Sequence, residues 1–225
     1  MARKVGMVHS VASLVPVFNE LAAELLPGVE VIHLVDEGLL KDVLATGQLT
    51  PGMARRFGLL ASFAVESGAE VVMLTCSSLA PLVDEARNTV KVPLLKVDEA
   101  MADEAVKLGK RVGVIATAYT TLKPTSDLIK ARAALQKKKV AVETVLCEGA
   151  FDALRRGDFE THDRAVKDRL NDLMGRVDVV VLAQASIARV VAQIPEKERK
   201  VPILSSLRLG VQRLKEKLES LPSRG

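Results

Sequence analysis

Short runs of Val, Leu and Ile recur along the chain, each followed by a stretch of helical period. In the first half they fall near residues 3–8, 29–35, 70–75 and 92–96, and in the second near 110–116, 140–146, 177–183 and 201–205. Short runs that are apolar at nearly every position predict strands buried on both faces. Between them, segments such as Val11 to Leu25 and Pro51 to Ser67 carry apolar residues at helical spacing. This alternation predicts βαβ units and a parallel sheet in each half.

The pattern is also written twice. VVMLTCSSLA from Val71 answers to VVVLAQASIA from Val179, and Lys4-Val5-Gly6-Met7-Val8 answers to Arg111-Val112-Gly113-Val114-Ile115. Asp36-Glu37-Gly38 answers to Cys147-Glu148-Gly149, and Lys91-Val92-Pro93 to Lys200-Val201-Pro202. Matches that keep their order over the whole length indicate an internal duplication. The expected fold is α/β: two pseudo-symmetric, flavodoxin-like halves, each a four-stranded parallel sheet flanked by helices. Asp98 and Ser206 are expected N-caps of the helices that leave each fourth strand. The last helix, Ser206 to Leu218, follows the second sheet and is expected to pack back on the first. The predicted domains are therefore 1–98 with 206–225, and an inserted 99–205. No Gly/Ser- or Pro-rich linker separates them, so a tight shared cleft is expected.

Composition narrows the class. Hydrophobic residues make up 48% and charged residues 27%, which argues against disorder. Aromatics are 3%, with no Trp, so the core must be aliphatic. The net charge of +4 is spread, and stacking aromatics are scarce, so no nucleic-acid partner is expected. No signal-peptide segment or membrane-length apolar run is present, and two cysteines make no disulfide framework. A cytoplasmic protein with reduced thiols follows as the expectation, a homodimer being the default assembly.

In open parallel sheets ligands bind beyond the carboxyl ends of the strands. The residues there are His9-Ser10, Cys76-Ser77-Ser78, Thr117 to Thr121, and Gln184-Ala185-Ser186. Cys76 is placed where a strand ends and a helix is predicted to begin, a position that favours a thiolate able to act as base, acid or nucleophile. The plainer alternative is a small apolar side chain filling a strand end. A cysteine phosphatase needs an Arg about six residues on, and Leu82 stands there. Walker A, GxGxxG, GxSxG and HExxH sequences are absent, as is metal-ligand spacing, so neither cofactor nor metal is expected.

VVMLTCSSLAPLVDEA, KVPLLKVDEAMADEAV, VGVIATAYTTL, CEGAFDALRRGDFETHD and VVVLAQASIARV, taken in order, resemble the aspartate/glutamate/hydantoin racemase superfamily, whose relatives include arylmalonate decarboxylase and maleate isomerase. The resemblance implies cofactor-independent chemistry at the carbon beside the carboxylate of a small amino acid or dicarboxylate. It implies Cys76 as the catalytic cysteine, with Ser77 and Ser78 donating to a carboxylate. It also implies Thr117, Tyr119 and Thr120 as a carboxylate-holding loop, with His9 and Ser10 at the first strand mouth. The departure is Gln184, where many racemases carry a second cysteine. An amide cannot act as a general base. The options left open are an acid supplied by His9, a one-face decarboxylase or cis-trans isomerase, and a carboxylate-binding protein without turnover.

Gln184 and Ser186 are placed on the wall opposite Cys76, although Ser186 could simply cap the helix Ile187 to Gln193. One of Thr117, Thr120 and Thr121 is equally readable as a helix cap. His33, within an apolar run, reads as structural. His162 reads as part of a helix's first turn, and Cys147 as packing behind the site. The stripe Leu39, Leu40, Val43 and Leu44 reads as core or interface.

Overall fold

The computed structural model describes residues 2–222. Met1 and residues 223–225, which the sequence assigns to the first domain, lie outside them. The chain divides into two compact units: Asp98–Ser206 forms the second, and the chain up to Val97 together with that from Leu207 forms the first.

The first unit contains β1 (Lys4–His9), α1 (Val15–Leu25), β2 (Glu30–Val35), α2 (Glu37–Thr46), α3 (Pro51–Glu66), β3 (Val71–Leu74), α4 (Pro81–Ala86) and β4 (Leu94–Lys96). The second contains α5 (Glu99–Leu108), β5 (Arg111–Ala116), α6 (Tyr119–Leu135), β6 (Ala141–Leu146), α7 (Ala150–Arg155), α8 (Phe159–Met174), β7 (Val179–Leu182), α9 (Ala185–Ala192) and β8 (Ile203–Ser205). The last helix, α10 (Ser206–Glu219), runs back into the first unit. Each sheet has four parallel strands, ordered β2-β1-β3-β4 and β6-β5-β7-β8. The order reverses direction between β1 and β3, and between β5 and β7. Chain crossovers leave in opposite directions there, which opens a crevice at the carboxyl ends.

Successive side chains of a strand point to opposite faces, and both faces of the first sheet are covered. Val5, Met7, Val71 and Met73 face Phe18 and Ala22 of α1 and Val211, Leu214 and Leu218 of α10. Val8, Val72 and Leu74 face Phe57, Ala61 and Ala64 of α3. Burial on both sides explains why the strand text is continuously apolar. In the second unit, Val180 and Leu182 pack with Val166, Leu170 and Leu173 of α8 and Ile187 and Val190 of α9. Leu39 and Val43 are core residues of the first unit.

Two glycines at matching places in the repeat make these layers possible. A Cβ on Gly6 would lie 2.7 Å from Ala64 Cβ, and one on Gly113 would lie 2.9 Å from Leu173 side-chain carbons. Each central strand thus lets a helix settle closely on its sheet. α3 starts at Pro51, with Thr50 Oγ1 accepting from Met53 N at 3.3 Å, a side-chain cap followed by a proline already fixed at helical φ.

Several expected caps differ. Asp98 precedes α5 but makes no side-chain cap bond, and Ser206 is already the first residue of α10. Ser186 lies within the first turn of α9, whose cap position belongs to Gln184. Among the described residues no helix is long and apolar enough to cross a membrane.

Candidate active site

The β1–β3 register pairs Val8 with Leu74, so just beyond the ladder His9 stands beside Thr75, whose N–H donates to Val8 O at 3.0 Å, and Ser10 and Cys76 are the residues that follow. The two strand ends therefore bring together four of the residues singled out by sequence or adjacent to them.

His9 is fully buried, and both ring nitrogens are engaged. Nδ1 lies 2.9 Å from Thr75 Oγ1 and Nε2 lies 2.8 Å from His33 Nδ1, while His33 Nε2 lies 2.9 Å from Asn19 Oδ1. With the Asn19 carbonyl accepting from His33 Nε2–H, His33 Nδ1 accepts from His9 Nε2–H, and the one proton of the Thr75 hydroxyl is divided between His9 Nδ1 and Val8 O, which lies 3.1 Å from Thr75 Oγ1. The chain places His9 behind the strand mouth rather than in it. Direct proton donation from His9 to a ligand would require one of these bonds to break, which revises the reading of His9 as a contacting acid. His33 is a working member of the chain. Sequence inspection misses it, together with Thr75 and Asn19, because the four residues meet only once three strands and α1 are laid side by side. The available signal was polar residues near the carboxyl ends of three separate apolar runs.

Burial, and secondarily the neighbouring His33, lowers the His9 pKa from 6.5 to about 4. Burial lowers that of His33 as well. The groups facing His9 are Phe18 from α1, His33 from β2 and Thr75 from β3. A base whose folded pKa lies below its unfolded one stabilises fully above the unfolded value, and that stability is lost as pH falls toward the folded value. His9 should thus cost the protein roughly 3 kcal/mol between its ordinary and folded values, a difference of 1.36 kcal/mol per unit. Urea unfolding across that window should show stability falling more steeply with acid in the wild type than in His9→Gln. Parallel curves would remove the assignment.

Cys76 is half-buried, with extended backbone (φ −124°, ψ 116°), and packs partly against the aliphatic cluster beneath it. The helix expected to begin there starts later and is short. A three-residue 3-10 turn, Ser77–Leu79, is followed by the six-residue α4. Pro81 has no N–H to give to Ser77 O, so the ladder cannot run through. A three-residue turn and a six-residue helix give the thiol no long helix N-terminus to favour its charged form. Ser77 and Ser78 are buried in that turn. The Ser10 hydroxyl is buried and among the described residues has no hydrogen-bond partner. A buried hydroxyl left unmatched costs free energy unless a ligand supplies its partner.

The other cysteine is different. Cys147 is fully buried in the second unit's core, and burial pushes its pKa up to about 11. Iodoacetamide at mildly alkaline pH should therefore modify Cys76 in the folded protein and spare Cys147, as peptide mapping by mass spectrometry will show. Equal labelling would contradict this placement.

In the second unit Gln184 occupies the position of Cys76. Its Oε1 accepts from Thr117 N at 2.7 Å, Ala118 N at 2.9 Å and Thr117 Oγ1 at 3.2 Å. Thr117 and Thr120 are buried, and Tyr119 is the exposed first residue of α6. Ala118 holds the cap position of α6, and the Thr121 hydroxyl donates back to Ala118 O at 2.8 Å. None of the threonines is therefore the side-chain cap. Ser186 is half-buried one residue into α9. His162 is buried in the first turn of α8, its Nδ1 2.8 Å from Asp163 Oδ1. Among the described residues no group of three or more His, Cys, Asp or Glu is placed to hold a metal ion.

A model of the Asp/Glu/hydantoin racemase family matches residues 5–214. The chain belongs to that family. Solved structures of similar fold include an aspartate racemase from Picrophilus torridus (13% identical, TM-score 0.72, covering 96% of this chain and 94% of that one). A glutamate racemase from Bacillus anthracis is 19% identical, with TM-score 0.73, covering 96% and 82%. An allantoin racemase from Klebsiella pneumoniae is 15% identical, with TM-score 0.65, covering 95% and 86%. At such identities the likeness establishes the fold. An uncharacterised protein of Schizosaccharomyces pombe is 28% identical over 93 residues, and the match spans 34% of that protein's length. The family match thus spans nearly all of this chain, while the chain spans about a third of the length of the curated relative it matches.

Proposed function

We propose that this racemase-family protein is a cofactor-independent enzyme that moves the proton on the carbon beside a carboxylate, with Cys76 as the base. The observation that carries the reading is the first sheet's switch point. There a half-exposed thiol follows β3, and the buried hydroxyl of Ser10, without a hydrogen-bond partner among the described residues, follows the neighbouring β1. Ser10, Ser77 and Ser78 are the donors proposed to hold the carboxylate of a small amino acid or dicarboxylate. Thr117, Tyr119, Thr120, Gln184 and Ser186 are the further residues proposed to bind such an acid. His9 contributes by fixing Thr75 next to the thiol. Donors set in place before the reaction stabilise the enediolate that forms when the proton leaves.

The test is incubation with aspartate, glutamate and small dicarboxylates in heavy water, followed by mass spectrometry. Deuterium entering at the carbon beside the carboxylate is the expected result. No exchange with any acid, despite binding, favours a second reading, a carboxylate-binding protein without turnover. That alternative is motivated by the glutamine standing where a second thiol would be needed.

A further inference from the structure

α3 turns an apolar line to solvent. Its other side packs into the first unit's core through Met53, Phe57, Ala61 and Ala64, so the outward line should carry polar side chains. That line reads Pro51, Arg55, Leu59, Phe63 and Glu66. Leu59 is 61% exposed and Phe63, one turn further on, 56%. In the second unit α8 holds the matching place before β7, and its outward line carries Arg164, Asp168 and Asp172. The fold therefore does not require apolar side chains there. Beside the line of α3 runs a groove of about 500 Å³, floored by Ala54, Gly58 and Ser62 and bounded by Ala86 and Thr89. A Cβ on Gly58 would meet only Thr89 Oγ1, 3.8 Å away, so a second helix can approach closely.

The charges at either end of Leu59 and Phe63 have no ion-pair partner among the described residues. Both stand against the helix dipole, Arg55 in the second turn and Glu66 as the last residue, so they do little for α3 itself. Eleven residues separate them, about three turns, which puts both on one face with Leu59 and Phe63 between them. Such a face is complementary to its own copy. A second α3 laid antiparallel, with a two-fold axis at the level of Leu60 and Ala61, brings Arg55 of each copy opposite Glu66 of the other. In that register Leu59 of each copy lies within one residue's rise, ~1.5 Å along the axis, of Phe63 of the other. We propose that this face of α3 is a homodimer interface, a Leu59–Phe63 cluster closed at both ends by Arg55–Glu66 pairs across a two-fold axis.

Sedimentation velocity across the micromolar range is the test, with wild type expected to dimerise. Leu59→Glu should weaken the dimer about 100- to 1000-fold, because an apolar anchor is lost from each copy. Its circular dichroism should match the wild type, since the side chain is exposed. Arg55→Glu and Glu66→Arg should each weaken the dimer about 10-fold or more, like charges then meeting at both ends. Each of these two also suits the helix dipole better than the native residue, so unfolding does not explain the loss. An equimolar mixture of Arg55→Glu with Glu66→Arg should dimerise as wild type does, opposite charges meeting again at both ends. A wild type that stays monomeric throughout the range overturns the proposal, as does a Leu59→Glu variant that dimerises unchanged. A mixture that associates no better than its components removes the antiparallel pairing, and the proposal with it.

Discussion

Cys76→Ala is expected to abolish deuterium exchange at the carbon beside the carboxylate, a loss of about 10²- to 10⁴-fold for removal of a general base. The fold should survive. Cys76 is half-buried on an extended residue leading into a short 3-10 turn, and its backbone carbonyl, which accepts from Leu79 N at 3.2 Å, is untouched by the substitution. Circular dichroism and melting temperature should match the wild type closely. Binding of the acid should persist, because the donors proposed to hold it lie on residues other than Cys76, among them Ser10, Ser77 and Ser78. Cys76→Ser keeps the shape but substitutes a hydroxyl that does not ionise in the working range, so it should be comparably inactive. Exchange that continues at the wild-type rate in either variant would dismiss the cysteine from the chemistry.

Gly6→Val is expected to destabilise the first unit by about 3 kcal/mol, since overpacking a filled layer costs 1–3 kcal/mol or more. The first added carbon already falls 2.7 Å from Ala64 Cβ, and Val72 Cγ2 lies only 3.1 Å away. Gly6→Ala should show the same effect at smaller size. Ala64→Gly in that background should recover part of the loss despite glycine's poor helix propensity, because it removes the atom being struck. Urea unfolding of the two single variants and the double variant closes the cycle. Purely additive losses would show that the strand–helix approach is not what Gly6 protects.

The layers and their duplication were readable because a strand covered on both faces writes a continuous apolar run. Gly6 and Gly113 recur in step with it, each serving a close helix contact that the alignment of repeats alone could flag. Cys76 was readable from its place after such a run. The Thr75–His9–His33–Asn19 chain was not, since His33 looks apolar-flanked in sequence and acquires its role only through the lateral pairing of β1 with β2 and β3. The sequence places a helix directly after Cys76, where the chain makes a 3-10 turn before the short α4. Pro81 interrupts the ladder there, and a proline early in a helical stretch also reads as an ordinary first-turn residue. Gln184 was legible as an amide in a thiol's place. That its oxygen is spoken for could be learned only from the fold, which sets Thr117 and Ala118 against it.

Enantiomer-resolved deuterium uptake decides whether a single sulfur acts alone. Each enantiomer of the acid that exchanges is incubated separately with the wild-type protein in heavy water, and the product is separated on a chiral phase before mass analysis. With Cys76 the base and an amide in the place of its counterpart, one enantiomer should take up deuterium with its configuration retained, and the other should take up none. Uptake by both enantiomers with inversion would require a second proton-transfer group and would contradict this assignment.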